Sequence, residues 1–106
     1  MEKQEQQISL LVTRLVNEFK PKRIFLFGSQ AWGIPSEDSD IDLCVILDSS
    51  EETPKERRIR ARKALRDIPI PKDILVKTIE EIEKGRKVHA LLESLILEKG
   101  KLVYEC

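Results

Sequence analysis

A small mixed sheet flanked by helices, an α/β (α+β) fold, is what this sequence predicts, on three observations. Ile8, Leu11, Val12, Leu15, Val16 and Phe19 recur at the helical period and leave one apolar face. Two nearly unbroken apolar runs come next, each short enough to be a strand buried on both faces. Helix-start signals then alternate with a third apolar run, and α/β layering is the simplest way to bury them all.

The elements can be placed in order. Pro21 stops the first helix. Arg23 to Phe27 reads as a strand that ends at Gly28, and Ser29 to Trp32 as the opening of a short helix. Gly33 to Asp38 carries Gly, Pro and Ser and reads as a loop. Asp40 to Leu47 is the second strand. Its Ile41, Leu43, Val45 and Leu47 face is wholly apolar, and its other face carries Asp40, Asp42 and Cys44. After a polar turn from Asp48 to Glu52, Thr53-Pro54-Lys55-Glu56 forms a capping box with Pro at the first helical position. Ala61, Ala64, Leu65 and Ile68 supply that helix's buried face, and Pro69 and Pro71 end it. Asp73 to Lys77 is the third strand, and Thr78-Ile79-Glu80-Glu81 is a second capping box. Gly85 is expected to break the segment after this box into a short helix and a longer one from Lys87 to Lys99. Gly100 then caps it, and Leu102 to Tyr104 adds an edge strand.

With 106 residues and no linker or repeat, one domain over residues 1–106 is expected. Nineteen basic and nineteen acidic residues cancel, which argues against bulk nucleic-acid binding and leaves room only for a local basic patch. No apolar stretch is long enough to span a membrane, and the polar N-terminus does not read as a signal peptide. Cys44 and Cys106 have neither zinc-site nor disulfide-framework spacing, so a reducing, cytoplasmic setting is expected. His89 has no ligand cluster around it and reads as structural or surface.

The chemistry concentrates between Gly28 and Asp42. Glycine permits positive φ and close approach of a ligand. Ser29 adds a hydroxyl at a helix start, where backbone N–H groups suit a phosphate. Asp40 and Asp42 sit two apart on a strand and so share a face, about 7 Å apart by strand rise. Paired anions in a half-buried place call for a cation between them, and magnesium bound through carboxylates and substrate phosphates answers that need. A phosphate cradle followed by a metal-binding pair describes a nucleoside-triphosphate site.

Gly28-Ser29-Gln30-Ala31-Trp32-Gly33 with Ser39-Asp40-Ile41-Asp42-Leu43 resembles the signature of the DNA polymerase β-like nucleotidyltransferases, and in its fuller form their minimal (MNT) subgroup. The likeness extends over nearly the whole chain, including the ending Ile96 to Tyr104. It implies a polymerase β-like nucleotidyltransferase fold and a third carboxylate on a later strand. Asp73 is the matching residue, in preference to Asp48 and Asp67. It further implies that Asp40, Asp42 and Asp73 hold two Mg2+ ions and carry catalysis, and that Gly28 and Ser29 bind the phosphates of ATP or another NTP. A nucleoside monophosphate, AMP in the antitoxin role, would pass to an acceptor hydroxyl with release of pyrophosphate.

The chain has little room for an acceptor-binding lobe, so a partner or an oligomer is expected to complete the site. The minimal subgroup resembles the antitoxin half of HEPN–MNT toxin–antitoxin pairs, which implies a helical HEPN-type partner protein. The alternatives are a non-catalytic toxin-binding module and transfer to a small molecule or RNA. Lys55, Arg57, Arg58, Arg60, Arg62, Lys63 and Arg66 make the helix over 55–66 strongly basic. That pattern reads as a solvated face or as a patch for RNA, phosphate or an acidic partner. Trp32 reads as packing or as a base-stacking surface.

Overall fold

The computed structural model describes residues 2–28, 31, 40–87 and 92–106. Ser29, Trp32, the 33–38 loop and His89 therefore lie outside the described residues. The elements run α1 (Glu2–Phe19), β1 (Arg23–Phe27), β2 (Ile41–Leu47), α2 (Pro54–Ala64), β3 (Lys72–Thr78), α3 (Ile79–Arg86), α4 (Leu92–Lys99) and β4 (Lys101–Glu105). The four strands form one mixed sheet in the order β3-β2-β1-β4. β1 is antiparallel to both of its neighbours, and β2 and β3 are parallel.

The sheet has a core on each face, as strand alternation requires. Ile41, Leu43, Val45 and Leu47 of β2 join Ile24 and Leu26 of β1 against Leu11 and Leu15 of α1 and Ala61 near the end of α2. The alternate residues Phe25, Phe27, Cys44 and Ile46 pack against Ile82 of α3 and Ile96 of α4. Asp42 falls on this second face and is the one residue of β2 that is not fully buried.

Both capping boxes form. Thr53 Oγ1 accepts from the Glu56 amide at 3.1 Å, and Glu56 Oε1 accepts from the Thr53 amide at 2.9 Å. Thr78 and Glu81 repeat this at 3.2 and 2.8 Å. Three local expectations shift. α2 ends at Ala64, so Leu65 and Ile68 bury themselves from the turn beyond it. β2 begins at Ile41 and leaves Asp40 just ahead of the ladder. The segment divides into a short helix and a second one as expected, but the break falls after Arg86, and α3 runs through Gly85. The glycine is there because α4 approaches closely. A Cβ at position 85 would stand 2.8 Å from Glu93 Cγ.

Polar clamps hold α2. Arg14 of α1 donates to the Ala64 carbonyl at 2.9 Å and pairs with both Asp67 oxygens. Arg60 pairs with Glu18 and Glu52 and stacks over Phe19, 4.6 Å from the ring centre. Arg57 is fully buried, with its guanidinium donating to both Glu81 oxygens and to the Val76 carbonyl. Among the described residues, no helix is long and apolar enough to cross a membrane.

Candidate active site

β1 ends where the site begins. Gly28 has φ +73°, in the left-handed region where a side chain is strained. Its carbonyl accepts from the Ala31 amide at 3.0 Å, closing a turn into a residue that is helical. The turn also has no room. Phe27 stands opposite Asp42 in the β1–β2 ladder, so the Asp42 carboxylate reaches over the next residue. A Cβ on Gly28 would collide with that carboxylate, standing 3.1 Å from its Cγ.

Asp42 in turn faces Asp73 across the parallel β2–β3 ladder. Asp40 lies exposed just before β2, and Asp73 is exposed one residue into β3. Asp42 is half-buried, and its pKa is pushed up from the ordinary aspartate value. Burial is the largest cause, followed by the negative charges of Asp73 and then Asp40. No described lysine or arginine forms an ion pair with any of the three. Asp42 feels the charges of Asp73 and Asp40, but the three do not close into a ligand set: among the described residues, no three acidic, thiol or imidazole groups converge tightly enough to grip an ion. As donors they suit a hard divalent cation, because all three offer oxygen and their charge is uncompensated.

Other candidates have different roles. Asp67 is held below the ordinary aspartate range, chiefly by its hydrogen bond from Arg14. Cys44 lies two residues beyond Asp42, buried, and burial pushes its thiol up to about 12. It is an inert filler rather than a nucleophile or ligand.

The basic helix divides in two. Arg57 and Arg60 are structural clamps. Arg58, Arg62 and Arg66 have no acidic partner among the described residues and line one side of a groove of about 280 Å³ between α2 and the start of β3. Lys72 and Asp73 line it on the β3 side. Composition alone does not separate the seven cations of this helix. The i, i+4 spacing of Arg58 and Arg62 is the signal in the sequence that these two share a helix face; Arg66 joins them from the turn that follows.

A carboxylate is thus set against a left-handed glycine turn, on a mixed sheet with further carboxylates beside it. The chain belongs to the nucleotidyltransferase domain family, whose model matches residues 8–101. A chain from Sulfolobus solfataricus assigned as a nucleotidyltransferase has a similar fold, with TM-score 0.68 and 18% identity, over 94% of this chain and 78% of the other. A toxin–antitoxin structure with AMP-PNP is similar with TM-score 0.54 and 21% identity, over 91% of this chain and 72% of the other. No match to a curated protein reaches significance. The expected nucleotidyltransferase fold and enzyme class are met.

Proposed function

We propose that the chain transfers a nucleoside monophosphate, AMP from ATP, to a hydroxyl on a partner protein, as the antitoxin of a toxin–antitoxin pair with a helical HEPN-type toxin. The observation that carries the reading is the placement of Asp42. It is half-buried against the Gly28 turn, opposite Asp73 and near Asp40, with no described cation to compensate the three. The fold's likeness to a toxin–antitoxin structure with AMP-PNP supports the choice of nucleotide and of partner.

In this reading Asp40, Asp42 and Asp73 hold two magnesium ions. When bound, these supply neutralisation of the triphosphate and of the charge that develops on the attacking and leaving oxygens. Gly28 and Ser29 bind the β- and γ-phosphates at the turn, where a side chain on residue 28 would fill the space. Asp73, on the edge strand, faces the acceptor and draws off its hydroxyl proton. The acceptor oxygen bonds to the α-phosphorus, the bond from phosphorus to the bridging oxygen breaks, and pyrophosphate leaves with that electron pair.

The test is label transfer from α-labelled ATP in host lysate with magnesium, beside the Asp40→Asn/Asp42→Asn double variant. A labelled protein band that needs both acids supports the reading. Label on RNA, or none that depends on the acids, refutes it.

A further inference from the structure

We infer that the groove between α2 and β3 is a docking cleft for an acidic, extended polypeptide segment that carries the acceptor hydroxyl. Its rim is Arg58 and Arg62 on α2 and Arg66 in the turn just beyond it, with Lys72 across from them. The three arginines are exposed and have no acidic partner among the described residues. Lys72 donates to the Ile68 and Ile70 carbonyls, which holds the loop that shapes the groove's end. The floor is aliphatic, made by Ala61, Leu65, Ile70 and Ile74.

Spacing and chemistry select the occupant. Residues four apart on a helix rise by about 6 Å. Side chains two apart on an extended strand are separated by about 6.7 Å. Two alternate side chains of an extended acidic peptide can therefore meet Arg58 and Arg62, with Arg66 in the following turn at the groove's end, while the intervening ones lie on the aliphatic floor. A single-stranded polynucleotide would need aromatic stacking platforms, and the described lining has none.

Position connects the groove to the chemistry. Asp73 belongs to the groove's lining and is also the register neighbour of Asp42. β3 is an edge strand, so no further strand separates the groove from the carboxylate face. A segment lying along the arginines can turn round this open edge and present a hydroxyl at Asp73. Assigning the segment to the acceptor rests on the proposed role of Asp73; the groove's preference for acidic peptide does not.

The test is fluorescence anisotropy at low ionic strength with the intact chain. Three labelled probes are compared: a peptide of one tyrosine flanked by glutamates, the same peptide with glutamines, and an oligouridylate of equal length. The glutamate peptide should bind about tenfold more tightly than the glutamine one, as three exposed ion pairs predict. R58Q/R62Q/R66Q should weaken it about tenfold. K55Q/K63Q, on the same helix but outside the groove, should change it less than about twofold. Circular dichroism verifies folding, and the single R62E variant gives the same reading if the triple variant does not fold. No binding of the glutamate peptide, equal binding of the glutamine peptide, or an unchanged triple variant overturns the inference. Tighter binding of the oligouridylate assigns the groove to nucleic acid and also overturns it. A parallel titration with a fluorescent ATP analogue separates the two claims. If the nucleotide fails to bind while the glutamate peptide binds, the transferase reading fails and the groove stands.

Discussion

Asp42 and Asp73 are register partners in the parallel β2–β3 ladder, and the half-buried Asp42 must tolerate the negative charge of Asp73. The sheet brings these carboxylates together at a cost to the fold, and the cost has a sign that can be measured. A raised folded-state pKa means that the protonated form is favoured by folding. The contribution is fully present below the unfolded aspartate pKa of about 3.9 and is lost as pH rises through the folded value.

At neutral pH, then, Asp42→Asn should raise the thermal midpoint while abolishing nucleotidyl transfer. Removing one half-buried, mutually repelled charge should be worth on the order of 1 kcal/mol. Thermal melts at pH 7 and pH 4 check it. The gain should be clear at pH 7 and shrink at pH 4. Magnesium should stabilise the wild type and leave the Asn variant unmoved.

Gly28→Ala should harm stability and activity together. The substitution forces a side chain into left-handed backbone and against the Asp42 carboxylate, costing about 1–3 kcal/mol. A urea titration gives the stability loss. Adding Asp42→Ala should recover part of it, because the collision partner has gone, without restoring transfer.

Acid should open the α2–β3–α3 junction. The Glu81 carboxyl is lowered to about 2, first by the hydrogen bond from Arg57 and with help from the Thr78 amide. A depressed folded-state pKa gives stability that is present above the unfolded glutamate value of about 4.3 and lost as pH falls toward 2. Glu81→Ala should remove this dependence and leave the buried Arg57 charge uncompensated, at about 3 kcal/mol. Acid-unfolding curves of the two proteins between pH 5 and pH 2 test it.

Gly85→Ala would stabilise an ordinary helix by about 1 kcal/mol. Here it should destabilise, because the new Cβ would meet Glu93 Cβ, Cγ and Cδ within 2.9 Å. A double-mutant cycle with Glu93→Ala should reveal the coupling, with only part of the loss recovered, because alanine removes Cγ and Cδ but keeps the Cβ 2.9 Å away.

Local signals are legible wherever a few neighbouring residues decide the outcome. The α1 periodicity, both capping boxes and the division of β2 into an Asp42 face and an Ile41 face all follow from spacing. The left-handed turn at Gly28 is legible for the same reason. Relations between distant segments are not. Nothing local shows that β1 lies between β2 and β4, or that Asp73 stands in register with Asp42; Asp73 comes from family likeness alone. Arg57 reads as one cation among seven, yet it is buried, because Glu81 lies 24 positions further on and is brought back by α3. Gly85 reads as a helix breaker, since the side chain that requires it arrives from another helix.

The strand that leads into the Gly28 turn is also the slowest to be flanked. β1 pairs with β4, and Arg23 and Glu105, 82 positions apart, form an ion pair across that seam. The parallel β2–β3 pair, with its carboxylates, closes over a much shorter loop. The acidic half of the sheet therefore closes at a lower entropic cost than the β1–β4 seam. β1 gains its second neighbour only when residues 101–105 pair with it. Completion of the corner around Gly28 thus waits on a strand made long after it, and until then β1 offers an unpaired edge to any strand that passes.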